Sequence, residues 1–233
     1  MMNKPTVLST GEWLLPAAVW AFPPRRTDAA YERPLDNESG SNVIVSKDQG
    51  KNWEFLGQSR VPERSCDEHI IVEKNNGDLW KLVRTEYGIG ECYSADRGKT
   101  WSEGKSAAHV THIPHARFFM RRLHSGNLLF VKHDPPDGKA RSHLKAFVSQ
   151  DDGETWAGGL MIDERCGVSY PDGVQAIDET IYLIYDFERT AKKQILMATF
   201  TEEDVLTGKP VSKAWRTGVV VNQATGVRTE RDR

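Results

Sequence analysis

The sequence predicts an all-β protein that consists of about four blades, each a small antiparallel sheet. Two observations support this prediction. A segment with two apolar-rich runs around a polar turn occurs four times, and a Ser-x-Asp-x-Gly-x-(Asn/Thr)-Trp motif occurs three times. The aspartates of the motif, Asp48, Asp96 and Asp151, are separated by about the length of one four-stranded propeller blade. Each repeat therefore corresponds to one blade.

The four segments have the pattern of β-hairpins. They are PTVLSTGEWLLPAAVW from Pro5, IIVEKNNGDLWKLVRTE from Ile70, FFMRRLHSGNLLFVKHD from Phe118 and VQAIDETIYLIYDFE from Val174. The apolar stretch from Leu14 to Phe22 belongs to the first of these repeats and is too short to span a membrane. We therefore interpret it as a strand and not as part of a signal peptide.

The repeated motif has the residues of a tight turn. A short carboxylate accepts hydrogen bonds from its own turn, glycine adopts a positive φ without steric conflict, and tryptophan covers apolar surface. We therefore expect these aspartates to have a structural role and not a catalytic one.

The fourth unit lacks the motif. Thr201 and Asp204 have the spacing of a capping box, which predicts a short helix in place of the turn. A strand-like run, Thr217 to Val221, and a charged tail that is expected to fray follow the helix. The predicted blades span about residues 1–62, 63–112, 113–165 and 166–212 of a single domain, with a C-terminal strand and tail over residues 213–233.

The composition excludes some classes of partner. The 31 basic and 33 acidic residues nearly cancel, so no net charge attracts the protein to nucleic acid or to an anionic membrane. Cys66, Cys92 and Cys166 lack metal-ligand spacing and are expected to be buried thiols. The histidines lack zinc-type spacing. No metal or cofactor is predicted, and the sequence leaves open whether the full-length parent is secreted or periplasmic.

The three motifs resemble the Asp boxes, or BNR repeats, of the sialidase superfamily. The resemblance extends roughly from Pro5 to Lys209 and implies a sialidase-type β-propeller, of which about four blades of a six-bladed ring are present. It also implies that the chain is truncated at its N-terminus. Because other glycosidases, some polysaccharide lyases and non-catalytic propellers carry such boxes, the function has to be inferred from the site.

Two columns of polar residues occupy equivalent positions in the last three hairpins. The column nine residues before the turn contains Glu68, Arg117 and Tyr170, and the column seven residues after the turn contains Arg84, His133 and Asp186. Since the inner strands of a propeller present equivalent positions to the central axis, we expect these side chains to line one pocket.

The resemblance to sialidases implies a role for four residues. Sialidases attack the anomeric carbon with a tyrosine that a glutamate activates, which implies Tyr170 as nucleophile and Glu68 as its base. They bind the sugar carboxylate with arginines, which implies Arg84 and Arg141 as ligands. Guanidinium matches a carboxylate with two parallel donors. A neutral phenol avoids the repulsion that an attacking carboxylate would meet.

Each of these residues also has a structural alternative. Tyr170 precedes proline and is compatible with an extended residue that enters a turn. Asp67 or His69 can replace Glu68 as the inward-facing residue, and Arg84 can form a structural ion pair. Two further expectations concern neighbouring residues: Arg189 and Asp186 as a loop pair, and two of Arg117, Arg121 and Arg122 outside the pocket.

The match to sialidases is incomplete. Their first arginine and their acid/base aspartate have no counterpart here, and Asp172 is the candidate substitute acid. We therefore expect weak or no turnover from this chain alone.

The leading function is a sialidase-like exo-glycosidase that releases a terminal acidic sugar from glycans with retention. The alternatives are a polysaccharide lyase that uses His69, His133 or His143 as base, another carbohydrate-active enzyme, and a glycan-binding propeller without turnover. The expected partner is a glycan. Bare blade faces at the ends of a partial set of blades also favour a homo-oligomer.

Overall fold

The computed structural model describes residues 4–20, 38–107, 110 and 114–226, and these residues form sixteen strands and one short helix. The chain divides into two compact units, Met1–His115 and Ala116–Arg233. Each unit contains two four-stranded antiparallel sheets, in which the strands follow one another in chain order. The all-β prediction and the four hairpins are confirmed.

The first unit contains sheets 1 and 2. Sheet 1 comprises β1 (Thr6–Val7), β2 (Trp13–Val19), β3 (Gly40–Ser46) and β4 (Glu54–Ser59). Sheet 2 comprises β5 (Arg64–Glu73), β6 (Leu79–Thr85), β7 (Gly88–Ser94) and β8 (Lys105–Ser106). The apolar stretch after Lys4 lies mainly in β2, as expected for a hairpin strand, and its residues 21 and 22 lie outside the described residues.

A small apolar core joins sheets 1 and 2. Leu14, Val43 and Val45 of sheet 1 pack in one cluster with Ile71 and Leu79 of sheet 2. Successive side chains of a strand point to opposite faces. Strand β2 accordingly alternates between half-buried and buried residues at its start, whereas all seven residues of β6 are buried. The apolar core of the first unit therefore lies between one face of sheet 1 and one face of sheet 2.

The second unit contains sheets 3 and 4. Sheet 3 comprises β9 (Phe119–Arg122), β10 (Leu128–His133), β11 (Leu144–Ser149) and β12 (Ala157–Asp163). Sheet 4 comprises β13 (Val168–Gln175), β14 (Ile181–Phe187), β15 (Gln194–Phe200) and β16 (Arg216–Gln223). The expected C-terminal strand is β16, so sheet 4 extends past residue 212. The charged tail from residue 227 lies outside the described residues.

The core of the second unit lies between sheets 3 and 4. Leu129 and Val131 of β10 pack in one cluster with Ile181, Leu183 and Tyr185 of β14. All five side chains are almost completely inaccessible to solvent. This core fixes the strands that carry the polar residues at their ends.

The predicted short helix is confirmed as α1 (Glu202–Thr207). Its capping box has both expected bonds: Thr201 Oγ1 accepts from the Asp204 N–H, and Asp204 Oδ2 accepts from the Thr201 N–H at 2.8 Å. Burial acts to raise the pKa of Asp204, but hydrogen bonds from Ser212 and from the N–H of Val211 lower it to about 2. Asp204 therefore holds the helix and the following loop together.

The repeated motif forms a turn that is held by its own side chains, as expected. In the second copy, Ser94 Oγ accepts from the Gly98 N–H at 2.8 Å, and Asp96 Oδ1 accepts from the Thr100 N–H at 2.9 Å. Trp101 Nε1 donates to the Gly98 carbonyl at 3.0 Å. The serine and aspartate bonds recur in the first and third copies.

The tryptophan of the motif is buried to different extents in different copies. Trp53, in the first copy, is 41% exposed, and Trp101, in the second, is half-buried. The expectation for the cysteines is correct for Cys92, which is buried, but Cys66 is half-buried and Cys166 is exposed. Burial raises the pKa of the Cys92 and Cys66 thiols.

Candidate functional site

In the first unit, Glu68 and Arg84 form a buried ion pair. Arg84 Nη1 donates to Glu68 Oε2 at 2.8 Å, and both side chains are almost completely buried. Glu68 Oε1 has no hydrogen-bond partner within the described part of the chain. The structural ion pair that the sequence left open for Arg84 is present, and its partner is Glu68.

The neighbours of Glu68 are also buried, and each has its own partners. Asp67 has a left-handed φ of 51° and accepts a hydrogen bond from Arg64 at 2.7 Å. The ring nitrogens of His69 lie 2.8 and 3.0 Å from the carbonyl oxygens of Asp67 and Asn42. Burial lowers the pKa of His69 to about 3, so its ring is neutral. Both ring nitrogens face backbone carbonyls, which does not favour His69 as a catalytic base.

In the second unit, four side chains are linked by contacts, and the charge of a fifth, Arg141, acts on one of them: the group is Arg117, Arg141, Tyr170, Asp186 and Arg189. We call this group the arginine–tyrosine cluster. Arg189 lies over the ring of Tyr170, 4.4 Å from the ring centroid, and Arg117 lies 5.7 Å from the same centroid. Arg189 Nε contacts Asp186 Oδ2 at 3.0 Å, so the expected loop pair is confirmed.

The backbone of Tyr170 is left-handed, with a φ of 54°. The register of β13 against β14 shifts between Ser169 and Asp172, so Tyr170 lies in a bulge. The alternative of an ordinary extended residue before proline is therefore wrong. A bulky residue with positive φ is a strained conformation, and such strain concentrates at functional sites.

Asp186 lies at the end of β14, opposite Ser169 of β13. Burial raises the pKa of its carboxyl group, whereas the charges of Arg189 and Arg141 act to lower it. Asp186 Oδ1 and Ser169 Oγ are both buried without a hydrogen-bond partner in the described ranges. These two atoms are available to a ligand that reaches them.

Arg141 lies in the loop between β10 and β11. Its carbonyl oxygen accepts from the Gly167 N–H at 3.0 Å, which ties this loop to the start of β13. Strand β11 begins at Leu144, shortly after Arg141 in the chain. Its charge also acts on His133, whose pKa burial lowers to about 4.

His133 and Asp172 each have a polar contact close to them in the chain. His133 Nδ1 lies 3.3 Å from the Ser142 carbonyl oxygen, and its Nε2 is buried without a partner among the residues that the structure describes. Asp172 Oδ1 accepts from the Gly173 N–H at 2.8 Å. The structure therefore places His133 beside the charge of Arg141 and leaves Asp172 on β13, two residues from Tyr170.

One member of the cluster was not predicted as a site residue. Arg189 was expected only as the partner of Asp186, and its contact with Tyr170 depends on the bulge in β13. Of the three arginines in and just before β9, Arg121 is exposed and Arg122 contacts Asp152 at 2.5 Å. Arg117 is the one of these three that contacts Tyr170 within the described residues.

The cluster combines three guanidinium groups with one carboxylate and one phenol. Its excess of positive charge suits an anionic ligand, and the fork of each guanidinium suits a planar carboxylate.

Within the described ranges, no group of three or more His, Cys, Asp or Glu side chains has the arrangement of a metal site. No helix in the same ranges is long and apolar enough to cross a membrane.

Solved structures of glycan-processing proteins share this fold. A Hadza microbial sialidase matches with a TM-score of 0.65 at 19% identity, over 86% of this chain and 37% of that chain. The intramolecular trans-sialidase from Ruminococcus gnavus matches with a TM-score of 0.61 at 16% identity, over 87% of this chain and 44% of that one. An α-L-arabinofuranosidase from Fusarium graminearum matches with a TM-score of 0.59 at 14% identity, over 93% of this chain and 67% of that chain.

These similarities define the class of fold, which is the sialidase type of β-propeller with four blades. The chain spans less than half the length of the two sialidases. Residues 1–183 match the family of BNR repeat-like domains, and the chain belongs to this family. A search of the curated proteins finds no similar sequence.

Proposed function

We propose that this chain is part of a glycosidase that binds a terminal acidic sugar, such as sialic acid, at the arginine–tyrosine cluster and releases it with retention. The observation that carries the proposal is the position of Tyr170, a strained aromatic residue with the guanidinium groups of Arg117 and Arg189 over its ring. The fold shared with sialidases supports the same class of substrate.

The charges of the cluster explain the preference for an acid. Asp186 neutralises one guanidinium through its contact with Arg189. Arg117 and Arg141 bring two further guanidinium groups to the cluster, and a planar carboxylate of the sugar matches such groups with two parallel hydrogen bonds. Arg141 is the proposed bidentate ligand because planar recognition of a carboxylate requires guanidinium and not ammonium.

Tyr170 is the proposed nucleophile. In the proposed step the phenol gives its proton to a carboxylate base and its oxygen attacks the anomeric carbon, while the glycosidic bond breaks and the leaving oxygen takes a proton from an acid. Water then hydrolyses the glycosyl–tyrosine bond with overall retention. The left-handed backbone fixes the position of the side chain. The base is proposed from the sequence alone as Glu68, which lies in the first unit and whose Oε1 has no hydrogen-bond partner within the described residues. Asp172 is the proposed acid.

A binding experiment tests the acid preference. Isothermal titration compares N-acetylneuraminic acid, its methyl ester and L-arabinose as ligands of the 233-residue protein. We expect the acid to bind and the ester, which lacks the charge, to bind at least about tenfold more weakly. Arg141→Lys is expected to weaken binding of the acid by a similar factor, whereas the exposed control Arg121→Lys leaves it unchanged. Equal binding of acid and ester would exclude the proposal.

A turnover experiment tests the role of Tyr170. A fluorogenic sialoside is incubated with high concentrations of the protein, since weak turnover is expected. Tyr170→Phe keeps the aromatic ring for the arginines and is expected to abolish turnover while binding persists. Glycan binding without any product in the wild type would favour a binding propeller. An unsaturated product that absorbs in the ultraviolet would favour a lyase.

A further inference from the structure

Each sheet has two faces, which we name by their packing. The front face of sheet 1 is the one that contacts sheet 2, and it contains Leu14, Val43 and Val45. The back face of sheet 2 receives it with Ile71 and Leu79. Leu14 lies three residues after the turn glycine Gly11, whereas Leu79 lies two residues after the turn glycine Gly77. The front and back faces therefore consist of alternate residues of the equivalent strand in each sheet.

The second unit repeats this arrangement. The front face of sheet 3, with Leu129 and Val131, packs on the back face of sheet 4, with Ile181 and Leu183. Leu129 follows the turn residue Gly126 by three positions, and Ile181 follows Glu179 by two. Both units therefore use one rule, in which the front face of the earlier sheet packs on the back face of the later sheet.

The front face of sheet 4 is apolar and exposed. Its side chains alternate with the buried residues of β14 and are aligned across the sheet by the strand register. Their exposed fractions range from 39% to 47%, for Val174, Tyr182, Ile184, Ile195 and Val219. Five large apolar side chains on one sheet face are more than the scattered surface residues of an ordinary monomer.

The back face of sheet 1 is also apolar and incompletely covered. The strand register places five side chains on this face: Val7, Trp13, Leu15, Ile44 and Phe55. Val7 and Phe55 are 58% and 59% exposed, and the other three are half-buried. The front face of sheet 4 and the back face of sheet 1 are thus both exposed. Within each unit, a front face of this kind packs on a back face of this kind.

We propose that the front face of sheet 4 packs on the back face of sheet 1 of a second copy of this chain. A second copy is the expected partner because the chain makes this front-to-back contact within each unit and exposes a face of each type, on sheets 4 and 1. The contact is head-to-tail, so each copy contributes a different surface. It depends on apolar packing and does not require the catalytic proposal.

Two variants, each altered on one face, test this interface. The front variant carries Val174→Lys and Tyr182→Lys, and the back variant carries Val7→Lys and Phe55→Lys. All four positions are exposed, so folding is expected to be preserved, and far-ultraviolet circular dichroism checks it. Sedimentation velocity over a range of concentrations is expected to show oligomers for the wild type and monomers for each variant alone.

The mixture of the two variants is the decisive sample. The front variant retains an intact back face, and the back variant retains an intact front face, so an equimolar mixture is expected to form 1:1 dimers. Val220→Lys is the control, since Val220 is 52% exposed and lies opposite Leu196 on the other face of sheet 4. A monomeric wild type, a mixture without dimers, or a back variant that still associates alone would each overturn the proposal.

Discussion

The ammonium group of Lys81 lies over the indole ring of Trp101, with Nζ 3.7 Å from the ring centroid. Lys81 is completely buried, and its Nζ donates to the Ser41 carbonyl and to Ser59 Oγ, both at 2.9 Å. Trp101 belongs to the second copy of the repeated motif. The tryptophan of this turn therefore stabilises a charge inside the first unit.

The first prediction concerns the pH dependence of stability. Burial lowers the pKa of Lys81 to about 7 from its ordinary value of 10.5. Between these two values the unfolded chain binds more protons than the folded chain, so this residue makes the free energy of unfolding rise with pH. We expect the advantage of the wild type over Lys81→Met to increase from pH 7 to pH 10 in urea unfolding. For Lys99→Met, at an exposed position, the difference in unfolding free energy from the wild type should not change with pH. If the difference for Lys81→Met is also independent of pH, the prediction is wrong.

The second prediction concerns the ion pair of Glu68 and Arg84. Arg84→Met leaves the Glu68 carboxylate buried without its partner, and this is expected to cost about 3–5 kcal/mol of unfolding free energy. The double variant with Glu68→Met removes the stranded charge and is expected to recover most of that loss. Urea unfolding measures both. Lys47→Met, which breaks an exposed pair with Glu54, should have little effect.

The third prediction concerns the acid stability of the repeated turn. Hydrogen bonds from the threonines Thr100 and Thr155 lower the pKa of Asp96 and Asp151 to about 2. A lowered pKa contributes stability above the ordinary value of about 4, and this contribution is lost as the pH falls toward 2. We expect the free energy of unfolding to fall less steeply from pH 4 to pH 2 in Asp151→Asn. Equal slopes for the two proteins would show that the turn does not contribute to acid unfolding.

Local patterns allowed most of the fold to be predicted from the sequence. The hairpins, the repeated turn and the capped helix α1 each depend on residues within about a dozen positions of one another, so spacing and composition reveal them. The pairing of β16 with β15 joins residues separated by the helix and a loop. No local pattern indicates that the C-terminal strand completes sheet 4.

The candidate site was only partly predictable for a related reason. Counting from the turns identified Asp186 and Tyr170, because equivalent strand positions share a place in each sheet. The bulge at Tyr170 was not predicted, since the residue before a proline normally adopts an extended conformation. The contact between Tyr170 and Arg189 follows from that bulge and was missed with it. The exposure of Trp53 likewise depends on tertiary packing and not on its motif.

The last prediction concerns a close approach between sheet 3 and α1. Gly158 in β12 has a φ of 92°, and a Cβ atom there would lie 2.0 Å from the carbonyl oxygen of Val205. Since a backbone atom of the helix cannot move aside like a flexible side chain, Gly158→Ala must displace α1 or distort β12. We expect a large loss of unfolding free energy, measured by urea unfolding, and weaker amide-exchange protection of α1.

Gly77→Ala is the matched control for this variant. Gly77 has a nearly identical φ of 87°, but a Cβ atom there would have no neighbour within 4 Å. Its substitution therefore reports only the cost of a left-handed backbone, which is about 1–2 kcal/mol for a residue other than glycine. Gly158→Ala should exceed this cost clearly. If the two variants lose the same stability, the contact with Val205 does not hold α1 against the sheet, and the helix is fixed by the bonds of Asp204 instead.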